Sequence, residues 1–382
     1  AFYTNWQTTS YADRITAWEV AQKNVYLNYP EDIDAAAFFA LAHLATAPKA
    51  DQDFRHQKRA GALLDQLFAK APEHPGVLHY TIHAYDNPVL AERAVTAARA
   101  YDKIAPDVPN ALHMPTHIFV RLGIWPDAIS WNIRSAKAAL KYPAGDAVSH
   151  HYPHALDYLI YAYLQQANDS KAEAVLQQLL REENYQQTPV SAYAIAAIPA
   201  RYALERKQWA DAAALQLHAD GNFPWQKFPE LEAMVWFARG LGAARSGDIT
   251  AAQDAKNTLD RIYQKVIEAE NNYWAVLVDA QRQSVSAWID FSKGDKKQAL
   301  ETMTKAADLE DSVDKHPVTP GAVLPARELL GDMLALLGKP EQALVAYEAS
   351  LKISPNRLNS LAGAGRAAEL VGDLEKARYF YV

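Results

Sequence analysis

The sequence predicts an all-α chain of stacked antiparallel helix pairs, about eight of them. Three observations carry that expectation. A pattern of small residue, turn, small residue and aromatic returns about every 34 residues, the mark of arrays in which each helix pair covers the apolar face of the next. Hydrophobic residues make up 50% of the 382 and charged residues 22%, enough to bury a continuous core. No stretch reads as a strand.

From the N-terminus, a degenerate pair is expected over 32–72, with helices at "AFFALAHLATA" and "RHQKRAGALLDQLFAKAP". The segment "PKADQDF" between them is longer than a tight inter-helix turn. A weak copy of the pattern follows at "NPVLAERAVTAARAYDKIAP" and a clear one at "LGIWPDAISWNIRSAKAAL". An insertion, "AGDAVSHHY", then precedes a helix beginning near Pro153. The pattern resumes at "ERKQWADAAAL", "ARSGDITAAQDA", "FSKGDKKQALETMTKAA" and "ELVGDLEKARYFY". It is sharpest at "ARELLGDMLALLGKPEQALVAYEASLKISP". There Gly331 marks a close helix approach, Gly338 ends the first helix, Ala343 sits at the crossing, Tyr347 fills the next layer and Pro355 stops the second helix.

This pattern resembles the tetratricopeptide repeat. The resemblance implies a right-handed α–α superhelix, a TPR-like solenoid, running as one array over 1–382, with regular repeats over 320–382. It also implies a concave groove lined by the first helix of each pair, and insertions in such arrays map to loops on one face, often the binding face.

Charge and composition exclude several functions. The net charge of −7 and a pI near 6.0, with no clustered Lys and Arg, argue against a nucleic-acid partner and against acidic membrane surfaces. The absence of cysteine removes disulfides, thiolate nucleophiles and thiolate-bound metal, so any metal site must use His, Asp or Glu. No apolar run is long enough to span a bilayer. A chain starting at Ala1 suggests a removed leader, and with zero cysteine this leads us to expect an exported, periplasmic protein.

The twelve histidines are unevenly placed. His79 and His83 form one i,i+4 pair, His113 and His117 another, and such a pair lies on one helix face at a spacing that can chelate an ion. Aligning the crossing residues Ala94 and Ala128 puts both pairs at the fifth and ninth positions of successive first helices. In the repeat family these positions face the groove, so 73–165 is expected to form histidine-rich repeats lining it. Neighbouring helices about 8–10 Å apart would let the pairs share one pocket. Beyond the insertion the crossing residue is Ala172, which places His154 at position two, Asp157 at five and Tyr161 at nine, with His151 just before the helix.

Asp86 and Arg121 flank the pairs, and Glu328, Asp332, Arg201 and Arg366 take groove positions elsewhere. Closure of a superhelical turn would carry Glu328 toward the early repeats. Trp236, Trp274 and Trp288 read as core.

The run "HPGVLHYTIHAYD", then "HMPTHIFVRLGIWPDAISWN", then "YPHALDYL", with the tail "PVTPGAVLPARELLGDML", resembles a group of bacterial tetratricopeptide-repeat proteins bearing HxxxH, HMPTHI and YPH histidine motifs. That resemblance implies export and a genuine histidine cluster, and no particular reaction. The leading expectation is a zinc or copper site on His79, His83, His113, His117 and His154, with Asp86, Arg121, His151, Asp157, Tyr161 and Glu328 as binding, orienting or acid–base groups. A metalloenzyme is compatible with it. The alternatives are a groove of hydrogen-bonded histidines, a site for an anionic, small-molecule or peptide ligand, and a scaffold that binds a partner protein without catalysis. No HExxH, Ser-His-Asp arrangement, phosphate loop or GxGxxG is present, so no nucleotide cofactor is expected.

Overall fold

The computed structural model describes residues 1–48, 51, 53–218 and 223–382. Part of the "PKADQDF" segment therefore lies outside the described residues. The chain divides into two compact units, Ala1–Leu122 and Gly123–Val382, both all-helical.

The first unit contains α1 (Tyr11–Asn28), α2 (Ile33–Ala45), α3 (Arg55–Lys70), α4 (Pro75–Tyr85), α5 (Val95–Ala100), α6 (Pro109–His113) and α7 (Pro115–Arg121). Ser10 and Asp32 cap the first two helices by accepting from Asp13 N–H and Ala35 N–H, as short polar side chains do at N-caps. Gly61 on α3 lies against the ring of Tyr85 on α4, so a side chain there would displace the tyrosine. The weak repeat copy forms a broken helix: short 3₁₀ turns at Ala91–Ala94 and Tyr101–Lys103 flank α5. Asn87 accounts for the break at its start, because its Oδ1 accepts from the backbone of Val89 and Leu90 and competes with helical bonding.

The second unit contains α8 (Trp125–Ala139), α9 (His151–Gln165), α10 (Asp169–Leu180), α11 (Pro189–Glu205), α12 (Trp209–Ala213), α13 (Pro229–Ser246), α14 (Ile249–Glu268), α15 (Asn272–Lys293), α16 (Lys296–Asp311), α17 (Ala326–Leu336), α18 (Pro340–Ile353), α19 (Leu358–Val371) and α20 (Leu374–Tyr381). Each of α9, α11, α13, α15, α17 and α19 packs on the next in that series and on the helix that follows it in sequence, which is the arrangement of a tetratricopeptide-like helical repeat. A Cβ on Gly331 would stand 2.7 Å from the Tyr347 ring, which also presses on Gly363 of the following repeat. The tyrosine thus fills a socket made by two glycines, and it is buried.

This unit closes on itself, since α19 packs against α9. Gly123 has φ +65°, and a Cβ there would lie 2.6 Å from the Pro355 carbonyl oxygen, so both conformation and space require glycine. Trp125 Nε1 donates to the Asn356 carbonyl at 3.0 Å.

The insertion before α9 is pinned rather than loose: Val148 N–H donates to Asn184 O at 2.8 Å and Gln186 N–H to Val148 O at 2.9 Å. As a result α9 starts at His151, earlier than the sequence suggests, and His151 is its first residue rather than a residue ahead of it.

Candidate functional site

In the first unit, α4 presents His79 and His83 one turn apart, with Nε2 atoms 3.0 Å from each other. Their rings stack with centroids 4.8 Å apart. His113 ends α6 and His117 lies in α7. Pro115 has no N–H to give, yet Met114 keeps helical dihedrals of −50° and −41°, so the four-residue spacing still covers one turn. The Nε2 atoms of His113 and His117 are 3.2 Å apart, and both residues are buried. His83 and His117 bring the two pairs side by side, with ring centroids 6.4 Å apart.

Each pair has an anchor at an Nδ1 atom. Asp86, the residue that ends α4, lies 3.0 Å through Oδ2 from His117 Nδ1. An ionised carboxylate only accepts, so His117 carries its proton on Nδ1 and turns a lone pair on Nε2 toward His113. Arg121 fixes Asp86 in turn, donating from Nε to Oδ1 at 2.8 Å and from a terminal nitrogen to the Asp86 carbonyl at 3.0 Å. Tyr101, from the 3₁₀ turn after α5, stands 3.2 Å from His79 Nδ1. Burial, helped by the nearby His117, pushes the His79 imidazole down to about 4, and burial pushes the Tyr101 phenol up to about 12. Sequence reasoning did not find Tyr101, because an aromatic in a degenerate repeat carries no periodic signal.

The remaining predicted residues belong to the second unit. His154 is buried on α9, edge-on to Tyr158 with centroids 5.4 Å apart. His151 is half-buried beside His150, and burial, with His150 adding to it, lowers its pKa to about 4. Asp157 is fully buried and accepts from Arg201 Nε at 3.3 Å, while its Oδ2 has no hydrogen-bond partner. Burial raises the Asp157 carboxyl to about 6 against the pull of Arg201.

Tyr161 and Glu328 join a different assembly. Arg357, wholly buried, donates to Glu205 at 2.8 and 2.9 Å, to Glu328 at 3.0 Å through two nitrogens, and to Tyr161 Oη at 3.4 Å. Ser360 also donates to Glu328. Burial opposes ionisation of Glu328, but Arg357 and Ser360 outweigh it and hold the carboxyl below its usual value. Neither Glu205 nor Arg357 stands out in the sequence, since each is a charge near a helix end with no spaced partner. Asp332 accepts from Tyr347 Oη and Lys207 Nζ, and Arg366 is exposed. Trp288 is core, whereas Trp236 and Trp274 are only partly buried.

No family model and no curated protein sequence matches this chain. Solved structures do. The human IFIT1 dimer with PPP-AAAA aligns over 100% of this chain and 80% of its own, at 14% identity and a TM-score of 0.45. A tetratricopeptide repeat protein from Parabacteroides merdae aligns over 72% and 90%, at 15% identity and a TM-score of 0.34. The Naa15/Naa10 complex bound to HypK-THB aligns over 97% and 60%, at 14% identity and a TM-score of 0.31. The PPP-AAAA in the first of these belongs to that protein, and the expectation of no nucleic-acid partner, drawn from charge, is not borne out. Among the described residues no helix is long and apolar enough to cross a membrane.

Proposed function

We propose that the histidine cluster of the first unit is a transition-metal site for Zn²⁺ or Cu²⁺. The observation that carries this reading is the pinched Nε2 geometry: 3.0 Å within one pair and 3.2 Å within the other, with His117 oriented from behind by Asp86. A carboxylate on the outer nitrogen of a metal-binding imidazole fixes its tautomer and raises its basicity. Neutral imidazoles without thiolate suit zinc and copper. His154 as a ligand and a single array over 1–382 are expectations of the sequence register. An ion held by two or three imidazoles keeps positions open to water or substrate, as catalytic centres do, and this is what a metalloenzyme reading rests on.

The scaffold alternative has an observation against it in the second unit. The segment between α16 and α17 is hydrogen-bonded to α9 and α11, helices that the repeat resemblance assigns to the groove wall. Tyr158 donates to Thr319 O at 2.8 Å, and Arg201 to Ala322 O at 2.8 Å and Gly321 O at 3.3 Å. These are contacts a guest backbone would otherwise make.

Elemental analysis of protein purified without a His tag or chelating resin tests the metal reading. Stoichiometric metal is expected, with less of it in the His113→Ala, His117→Ala double variant. Metal-free protein that takes up neither Zn²⁺ nor Cu²⁺ would sink it.

A further inference from the structure

We infer that the first unit binds two divalent transition ions, one on each imidazole pair, rather than one ion shared by four histidines. The inference rests on the metal reading above and adds stoichiometry and division of labour to it.

Coordination geometry separates the two arrangements. With Zn–N near 2.0–2.1 Å, two imidazoles on one tetrahedral ion hold their nitrogens about 3.3 Å apart and their ring centroids about 5 Å apart. Within the pairs the nitrogens are 3.0 and 3.2 Å apart and the centroids 4.8 and 5.0 Å apart. Each pair therefore already has the bite of one ion. Between the pairs, His83 and His117 have centroids 6.4 Å apart, a separation that ligands of a single ion reach only when trans, at about 6.4 Å.

A square-planar ion with those two residues trans would still bring all four nitrogens within about 4 Å of one another. Yet among the described residues of this unit, no three His, Cys, Asp or Glu side chains bring ligand atoms within 4.8 Å of one another. One ion on all four would require the rings to leave their anchors.

The anchors are separate as well. Tyr101 stands behind His79, on the first pair, and Asp86 behind His117, on the second. Water access differs too: His113 and His117 are 2% and 3% exposed, whereas His79 and His83 are only half-buried. The ion on His79 and His83 is the exchangeable one, and the ion on His113 and His117 the retained one.

Full-length, tag-free protein stripped of metal and titrated with Zn²⁺ tests this, with bound zinc counted by mass spectrometry after desalting. Two equivalents are expected in the unmodified chain. One should remain in the His79→Gln, His83→Gln variant and one in the His113→Gln, His117→Gln variant, with the more accessible ion leaving first to a competing chelator. A single equivalent lost from both variants, or lost only from the second, overturns the two-ion inference and leaves the metal reading standing. No bound zinc at all overturns the metal reading itself. Unmodified protein loaded with Cu²⁺ gives a readout that needs no variant to fold: two ions this close couple magnetically and produce a half-field electron-paramagnetic signal. A signal from isolated copper alone counts against the pair.

Discussion

Asp86 shows how much one residue decides. Its carboxylate accepts from both His117 and Arg121, so it sets an imidazole tautomer and neutralises a buried guanidinium at once. In Asp86→Asn the side chain keeps its size but loses its charge, and it can present the wrong group to Nδ1. Zinc affinity is expected to fall about 10- to 100-fold, the usual effect of losing a partner behind a metal-bound histidine. Isothermal titration against the unmodified chain measures it, and unchanged affinity would show that Asp86 does not orient the site. His113 and His117 were visible in the sequence as a spaced pair. Asp86 was visible only as an acid near them, because which of its neighbours it meets depends on how the chain turns at the end of α4.

At the scale of elements, the segment between α16 and α17 is the feature that repeat periodicity does not describe. Thr319, Pro320, Gly321, Val323 and Leu324 are buried, and Tyr158, Tyr193 and Arg201 hold its backbone carbonyls. Arg201 does this while paired with Asp157, so it joins α9 and α11 to the segment. Arg201→Leu would leave the Asp157 carboxyl buried without its cation, and breaking a buried pair in this way costs about 3–5 kcal/mol. Denaturant unfolding should show a loss of that size, with amide exchange accelerated around Gly321 to Val323. If exchange there stays slow, the apolar residues of the segment hold it without the arginine. The broken helix at 91–103 belongs to this scale too. Its sequence still carries the repeat pattern, but Asn87 diverts the backbone at the start.

For the molecule as a whole, pH is the informative variable. His79 in the first unit and His151 in the second are both held near pKa 4 in the folded chain, against 6.5 when exposed. A base with a depressed folded value contributes stability that is present above its unfolded pKa and lost as pH falls, so the window runs from about 6.5 down to about 4. Asp157 acts in the opposite sense between about 4 and 6, because its raised pKa makes the folded state favour the proton. Glu310, which burial raises to about 8, also opposes the histidines over this window, so the informative readout is a comparison of chains: as pH drops from 6.5 toward 4.5, metal-free native protein should lose more stability than its His151→Gln variant. Identical pH profiles of melting temperature for the two chains would contradict the His151 assignment. Zinc should stabilise the native chain near neutrality, by about 2.7 kcal/mol at a hundredfold excess over its dissociation constant.

By itself the sequence determined the helical repeat and the two histidine pairs, because both are local facts. A period near 34 residues, a glycine facing a tyrosine and an i,i+4 spacing each follow from helix geometry over short distances. Gly331, Tyr347, His79, His83, His113 and His117 could all be picked out that way. Only tertiary structure decided what the isolated charges do. Arg357 meets Glu205 and Tyr161 across 152 and 196 residues, and Arg201 meets the Gly321 and Ala322 carbonyls across 120 and 121. No local pattern encodes such partners, because they come together only when the helices of the second unit close on themselves. The physical reason is the cost of burial: a charge taken out of water must find its counter-ion wherever the fold brings one, and the chain records only that the charge is there.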